Sequence, residues 1–128
     1  MIAIPVDEKE STTISELYGN APYFVILDTN SGVSRVLKNK ECGNGPKSSE
    51  FLNSLGVTAT VFFHMGEGVY KAFEKKLIDV FSVKKNHYTV DEIHKYILDN
   101  SLVKVNSSNY KELLDPGQSS CTCASENS

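Results

Sequence analysis

Residues 58–68 read Thr58-Ala59-Thr60-Val61-Phe62-Phe63-His64-Met65-Gly66-Glu67-Gly68, and nine more, beginning with Val69 and ending with Leu77, follow directly. The first half is a near-continuous apolar run that ends on a polar residue. Strands covered on both faces have this pattern, and most are parallel strands inside a sheet. The second half sets Val69, Ala72, Phe73 and Leu77 at helical spacing with lysines between them. The unit is a strand, a tight glycine turn and a helix. Ligands of open α/β sheets collect just past the carboxyl ends of the strands. His64, Met65 and the two glycines stand at that place.

The rest of the chain supplies partners for this unit. Residues 2–6 have strand character, and Pro5 predicts an incomplete ladder there or a strand near an edge. A polar loop over 7–13 follows, and 15–19 is compatible with one helical turn closed by Gly19. Residues 23–28 and 33–37 form an antiparallel hairpin around Thr29-Asn30-Ser31-Gly32. Pro46 fits the first position of a helix whose apolar face is Phe51, Leu52 and Leu55, with Gly56 just past its end. Residues 78–83 are another short apolar strand. Thr89-Val90-Asp91-Glu92 is a capping box that opens a helix bearing Val90, Ile93, Ile97 and Leu98 on one side. After Lys104 only Tyr110, Leu113 and Leu114 suggest a docked last turn. Residues 115–128 are rich in Pro, Gly, Ser, Gln and Asn and are expected to be disordered.

This order predicts one α/β domain over residues 1–105, with 106–128 as a flexible tail carrying a C-x-C. The expected architecture is a mixed five-stranded sheet with helices on both faces, a three-layer α/β/α sandwich. A length of 128 residues and 40% hydrophobic content suffice for one real core. A net charge of −3 argues against a general nucleic-acid binder, which shows a basic patch. No apolar run approaches the roughly 20 residues of a membrane span. The first residues lack the basic segment of a signal peptide. Three cysteines, two of them close to the end, are not a disulfide framework. Together these point to a cytoplasmic protein with reduced thiols.

Several residues have the chemistry of a site. Gly66-Glu67-Gly68 opens a helix after a strand, but a third glycine of the dinucleotide fingerprint would fall on Lys71. The glycines either tighten the turn or let amides at the helix start cradle an anion or an anionic cluster. His64 is a candidate metal or cluster ligand, or a hydrogen-bonded structural histidine. Met65 adds a thioether or simply packs. Cys42 lies in a glycine-containing loop, and thiolates suit iron–sulfur clusters and copper. Cys121 and Cys123 can chelate a soft metal or form a strained disulfide. His87 and His94 are expected to be exposed and without a role. The chain has no nucleophile elbow, and no histidines are spaced i, i+4, so the zinc-hydrolase motif is absent. Asp7 and Asp28 are the strand-end acids that a metal-dependent nuclease would use, a reading that the acidic balance disfavours.

Three opening segments stand out: Ile2-Ala3-Ile4-Pro5-Val6-Asp7, Ile14-Ser15-Glu16-Leu17-Tyr18-Gly19, and Ala21-Pro22-Tyr23-Phe24 with the hairpin that follows. Together they are similar to the dinitrogenase iron–molybdenum cofactor biosynthesis family. Leu55-Gly56-Val57 and the stretch from Gly66 to Phe73 resemble the same pattern. The resemblance covers residues 1–100. It implies a ribonuclease H-like fold and a non-enzymatic role. The cargo would be an iron–sulfur-based cluster, such as an iron–molybdenum cofactor or its precursor, exchanged with a donor or acceptor protein. Cys42, His64, Cys121 and Cys123 are the candidate ligands in this chain, with Gly66, Glu67 and Gly68 cradling the charge. Where the family has Ser-Glu-His-Phe-Gly, this chain has Ser15-Glu16-Leu17-Tyr18-Gly19, and Leu17 offers no ligating atom. The alternative is a metal-free module of the same fold that binds a small anion or a protein.

Overall fold

A computed structural model describes residues 1–16, 18, 20–40, 45–84 and 86–114. In chain order the elements are β1 (Ile2–Val6), β2 (Tyr23–Leu27), β3 (Ser34–Lys38), α1 (Gly45–Ser54), β4 (Ala59–Phe62), α2 (Glu67–Lys75), β5 (Asp79–Ser82), α3 (Val90–Leu98), β6 (Val103–Lys104) and α4 (Tyr110–Leu113). They build one mixed sheet in the order β3-β2-β1-β4-β5-β6. β1 runs antiparallel to β2 and parallel to β4, and β4 runs parallel to β5. The described residues thus hold six strands where five are expected. The sixth, β6, is two residues long and pairs with Phe81 and Ser82. Two residues cannot display an alternation, so no period announces that strand.

β4 meets its expectation: Thr60, Val61 and Phe62 are each fully buried. Neighbouring side chains point to opposite faces of the sheet and define two cores. Ala3, Phe24 and Phe62 pack with Leu52 of α1 and with Val69, Tyr70 and Phe73 of α2, and Tyr110 and Leu113 of α4 lie against that cluster. Ile2, Ile4, Val6 and Val61 pack on the other side with Ile93 of α3. No helix among the described residues is long and apolar enough to cross a membrane.

Pro5 does not mark an edge. β1 is an inner strand, and its register against β4 is confined to Ile2 and Ala3. Past that point the missing proline N–H costs nothing. The Pro5 carbonyl instead accepts from the Ser15 amide at 2.7 Å, which folds the following loop back onto the strand. The expected helical turn over 15–19 is absent from its described residues, which form a bend and a turn. Tyr18 turns inward there and is 1% exposed.

Helices α1, α2 and α3 end in the same way. In α1 the amides of Val57 and Gly56 bond back to Leu52 and Asn53; in α2 those of Ile78 and Leu77 bond to Phe73 and Glu74; in α3 those of Ser101 and Asn100 bond to Tyr96 and Ile97. This crossed pair of bonds needs a left-handed residue after the cap. Gly56 (φ 83°) and Asn100 (φ 56°) suit it, but Leu77 holds φ 58° with its side chain 88% exposed. Leu77→Gly is therefore expected to stabilise the protein by about 0.5–1 kcal/mol, because relief of the left-handed strain outweighs glycine's larger backbone entropy. Chemical denaturation measures the change, and a loss of stability would contradict this account.

Candidate functional site

β1, β4 and β5 are parallel, so their carboxyl ends open on one side of the sheet. The chain leaves them through Asp7, through Phe63 and His64, and through Val83 and Lys84. α2 follows β4 on one face, and α3 follows β5 on the other. Crossovers that part in this way leave a crevice at the strand ends.

The loop after β1 is tied across this crevice to the start of α3. The Val90 amide donates to Thr12 O at 2.8 Å, and the Ile14 amide donates to Tyr88 O at 3.0 Å. Thr13 forms a bridge with Thr89. Thr89 also caps α3, accepting from the Glu92 amide while the Glu92 side chain accepts from the Thr89 amide, as the capping box requires. The Ser15 hydroxyl donates to Asp7 Oδ1 at 2.7 Å. These ties border an open pocket of about 530 Å³, lined by Asp7, Ser11, Thr12, Thr13, Ile14, Ser15, Glu16 and His87.

His87 is exposed, as expected, but it is not loose. Its Nε2 stands 2.7 Å from Glu16 Oε2. Its ring lies 4.6 Å from the ring of Phe63, tilted by 35°. Phe63 is 6% exposed and meets the His64 ring edge-on at 4.9 Å. Two imidazoles therefore flank one buried phenyl ring. His94 has a structural place, with Nε2 lying 3.4 Å from Thr29 O across the hairpin turn.

The glycine turn is less decisive. Gly66 is the N-cap of α2, in extended conformation with no side-chain cap. Glu67 is half-exposed and pairs with Lys71 at 2.9 Å. Gly68 has negative φ, and a Cβ added there would meet nothing within 4 Å. No close approach inside the protein demands glycine at that position. Gly68 lies instead in a groove of about 460 Å³ between α1 and α2, together with Lys47, Lys71, Lys75, Lys76 and Glu50. Met65 is 2% exposed and belongs to the core.

Of the expected metal ligands, His64 alone is described. Cys42, Cys121 and Cys123 lie outside the described residues, as does Leu17. Among the described residues no three His, Cys, Asp or Glu side chains converge to hold a metal ion. Asp7 and Asp28 are not a pair. β1 and β2 are antiparallel, so Asp28 follows Leu27 beside Ile2, at the opposite end of β1 from Asp7. The Asp28 carboxylate accepts from the Asn30 and Ser31 amides, which hold its pKa below the usual aspartate value. It shapes the hairpin turn.

The class that this frame defines is a mixed α/β protein with a polar crevice at the carboxyl ends of its parallel strands. The chain belongs to the dinitrogenase iron–molybdenum cofactor family, whose model matches residues 1–99. The apo form of the orange protein from Desulfovibrio gigas shares the fold, with a TM-score of 0.72 and 18% identity over 81% of this chain and 91% of that one. A candidate NifB protein from Thermotoga, placed in the DUF35 family, is similar with a TM-score of 0.66 and 28% identity over 79% of this chain and 89% of that one. No curated protein matches the sequence.

Proposed function

We propose that this protein is a non-enzymatic carrier for an iron–sulfur-based cluster, such as an iron–molybdenum cofactor or a precursor. Its frame is read as a three-layer, ribonuclease H-like α/β/α sandwich acting in the cytoplasm. The observation that carries the reading is the crevice at the ends of β1, β4 and β5, where His64 and His87 flank Phe63. Membership of a family named for the cofactor supports the cargo. The orange protein, which shares the fold, is known in an apo form, and this is consistent with a fold that takes up a separate group. His64 and Cys42 are the proposed ligands, with Cys121 and Cys123 as further thiolates. The amides of Gly66, Glu67 and Gly68 would offset cluster charge at the start of α2. Cargo would come from a donor protein and leave to an acceptor.

A second reading is a metal-free module that binds a small anion. The four lysines around Gly68 favour it, and Leu17 supplies no ligand.

Anaerobic reconstitution with iron and sulfide, with and without molybdate, separates the two. The carrier reading expects a stoichiometric visible chromophore that is lost in the Cys42→Ser, His64→Ala double variant. Loss only on deleting residues 115–128 would move the site to the last cysteines. A protein that stays colourless, with no bound iron on analysis, would overturn the carrier reading.

A further inference from the structure

We propose that the groove between α1 and α2 docks an acidic helical segment of a partner protein, with Gly68 giving it close approach and Leu77 an apolar anchor. The inference requires no particular cargo and goes beyond the carrier reading.

Two exposed positions hold a residue that folding stability would not choose. One is in the first turn of α2 and the other lies just past its end. Gly68 is exposed, lies outside the left-handed region, and leaves open space where a Cβ would stand. Alanine there would strengthen the helix at no steric cost inside the protein. Leu77 is the reverse case. It holds φ 58° with its side chain 88% exposed, where glycine would be relaxed. The leucine strains the backbone and buries nothing in return. Departures of this kind concentrate at functional sites. A second surface laid over this side of the helix accounts for both the missing methyl group and the unburied leucine.

Charge decides what that surface carries. The groove, of about 460 Å³, is lined by Lys47 of α1 and by Lys71, Lys75 and Lys76, with Glu50 as the acid among its lining residues. Lys71 pairs with Glu67 at 2.9 Å. Lys47, Lys75 and Lys76 have no ion-pair partner among the described residues. Four lysines thus gather in one groove of a chain whose net charge is −3. The complement is an acidic surface. Nucleic acid fits less well, because its binders are basic over the whole domain.

Spacing decides its shape. All four lysines are exposed, and Lys71 and Lys75 stand one turn apart, about 6 Å along the axis of α2. Donors that hold a compact anion meet around it instead. A helix laid beside α2 repeats the same rise, so its carboxylates four residues apart face lysines four residues apart. Gly68 and Ala72 line the groove at that same spacing. Small side chains at a contact let two helix axes come closer.

Two helical peptides of about 16 residues test this on the full chain. One carries glutamates four apart along one face, with a leucine at each end of the row. The other has the same composition in scrambled order. Fluorescence anisotropy reads the affinity, and backbone amide NMR reports where the peptide lies. The ordered peptide is expected to bind about tenfold tighter than the scrambled one, to shift the amides of α1 and α2, and to weaken as salt rises. The Lys71→Gln, Lys75→Gln double variant should lose about tenfold in affinity. Gly68→Ala and Leu77→Gly should each raise the denaturation midpoint and yet weaken binding about fivefold, a contrast that a merely structural role would not produce. Equal affinity for the two peptides, shifts away from α1 and α2, or unchanged affinity in Gly68→Ala and Leu77→Gly would each overturn the proposal. So would displacement of the peptide by inorganic phosphate at constant ionic strength, which would give the lysines to a small anion. Tighter, lysine-dependent binding of DNA or RNA would overturn the protein partner. Reconstitution with iron and sulfide keeps the two ideas apart. A wild type that stays colourless and still binds the ordered peptide overturns the carrier reading alone. A wild type that takes up the chromophore and binds neither peptide overturns this inference alone.

Discussion

Tyr18→Ala is expected to cost about 3–5 kcal/mol of unfolding free energy, a large share of the 5–15 kcal/mol that holds a typical domain together. Tyr18 is 1% exposed. Its ring packs 5.4 Å from Phe24 and edge-on to Phe73 at 5.6 Å, so it joins β2 to α2. Its hydroxyl lies 2.5 Å from Thr60 Oγ1. The Thr60 hydroxyl donates onward to Ala3 O at 2.9 Å, so the Tyr18 O–H donates to Thr60 and the chain of bonds ends on β1. Tyr18→Phe keeps the ring and removes only the first donor, and should cost about 1–2 kcal/mol. Urea denaturation of the two variants separates packing from hydrogen bonding. Equal losses would mean that the ring packing contributes little.

The same residue makes the fold sensitive to alkali. Burial raises the pKa of the Tyr18 phenol above its ordinary value, outweighing the lowering by the hydrogen bond to Thr60. A group whose pKa is higher in the folded than in the unfolded state stabilises fully below the unfolded value. For tyrosine that value is about 10, and the contribution is lost as pH climbs from there toward the folded value. Wild type should lose stability above about pH 10 more steeply than Tyr18→Phe. Parallel curves would show that the phenol stays neutral in both states or ionises in both.

Ile93→Ala is the second large effect, at about 3 kcal/mol. α3 covers its face of the sheet with one fully buried side chain, Ile93, at 0% exposure. Val90 and Ile97 are only half-buried against the same cluster. Removing the Ile93 side chain leaves a void under the helix that holds the crevice loop. Besides a lower denaturation midpoint, hydrogen exchange should quicken at the amides of Ile14 and Val90, which bond across the crevice to Tyr88 and Thr12. A stability loss with no change at those two amides would show that the loop is held without α3. Ile97→Ala should cost clearly less, because that side chain already reaches solvent.

Elements whose cause is local were legible in the residues. The capping box needs only Thr89 and Glu92, three positions apart, and both of its bonds form. β4 announces itself because Val61, Phe62 and Phe63 face cores on both sides and leave no polar position between them. Gly56 marks the end of α1 because glycine enters the left-handed region freely. Leu77 takes the same role after α2 without any such sign. It is held there by the bonds from its own amide and that of Ile78 back to α2.

The site was less legible for the same physical reason. His64 could be placed at a strand exit from the apolar run before it. His87 read as an idle surface histidine, because its partner Glu16 lies 71 positions away. Gly68 read as part of the same turn chemistry as His64, yet the packing of α1 against α2 puts it among lysines. The sequence by itself determined the run of strands and helices, the buried central strand and the helix caps, because spacing, capping chemistry and burial pattern act over a few residues. Tertiary structure alone decided the two-residue β6, the inner place of β1 and the meeting of Glu16, Phe63 and His87. Each of these depends on contacts between distant segments, and no local preference encodes them.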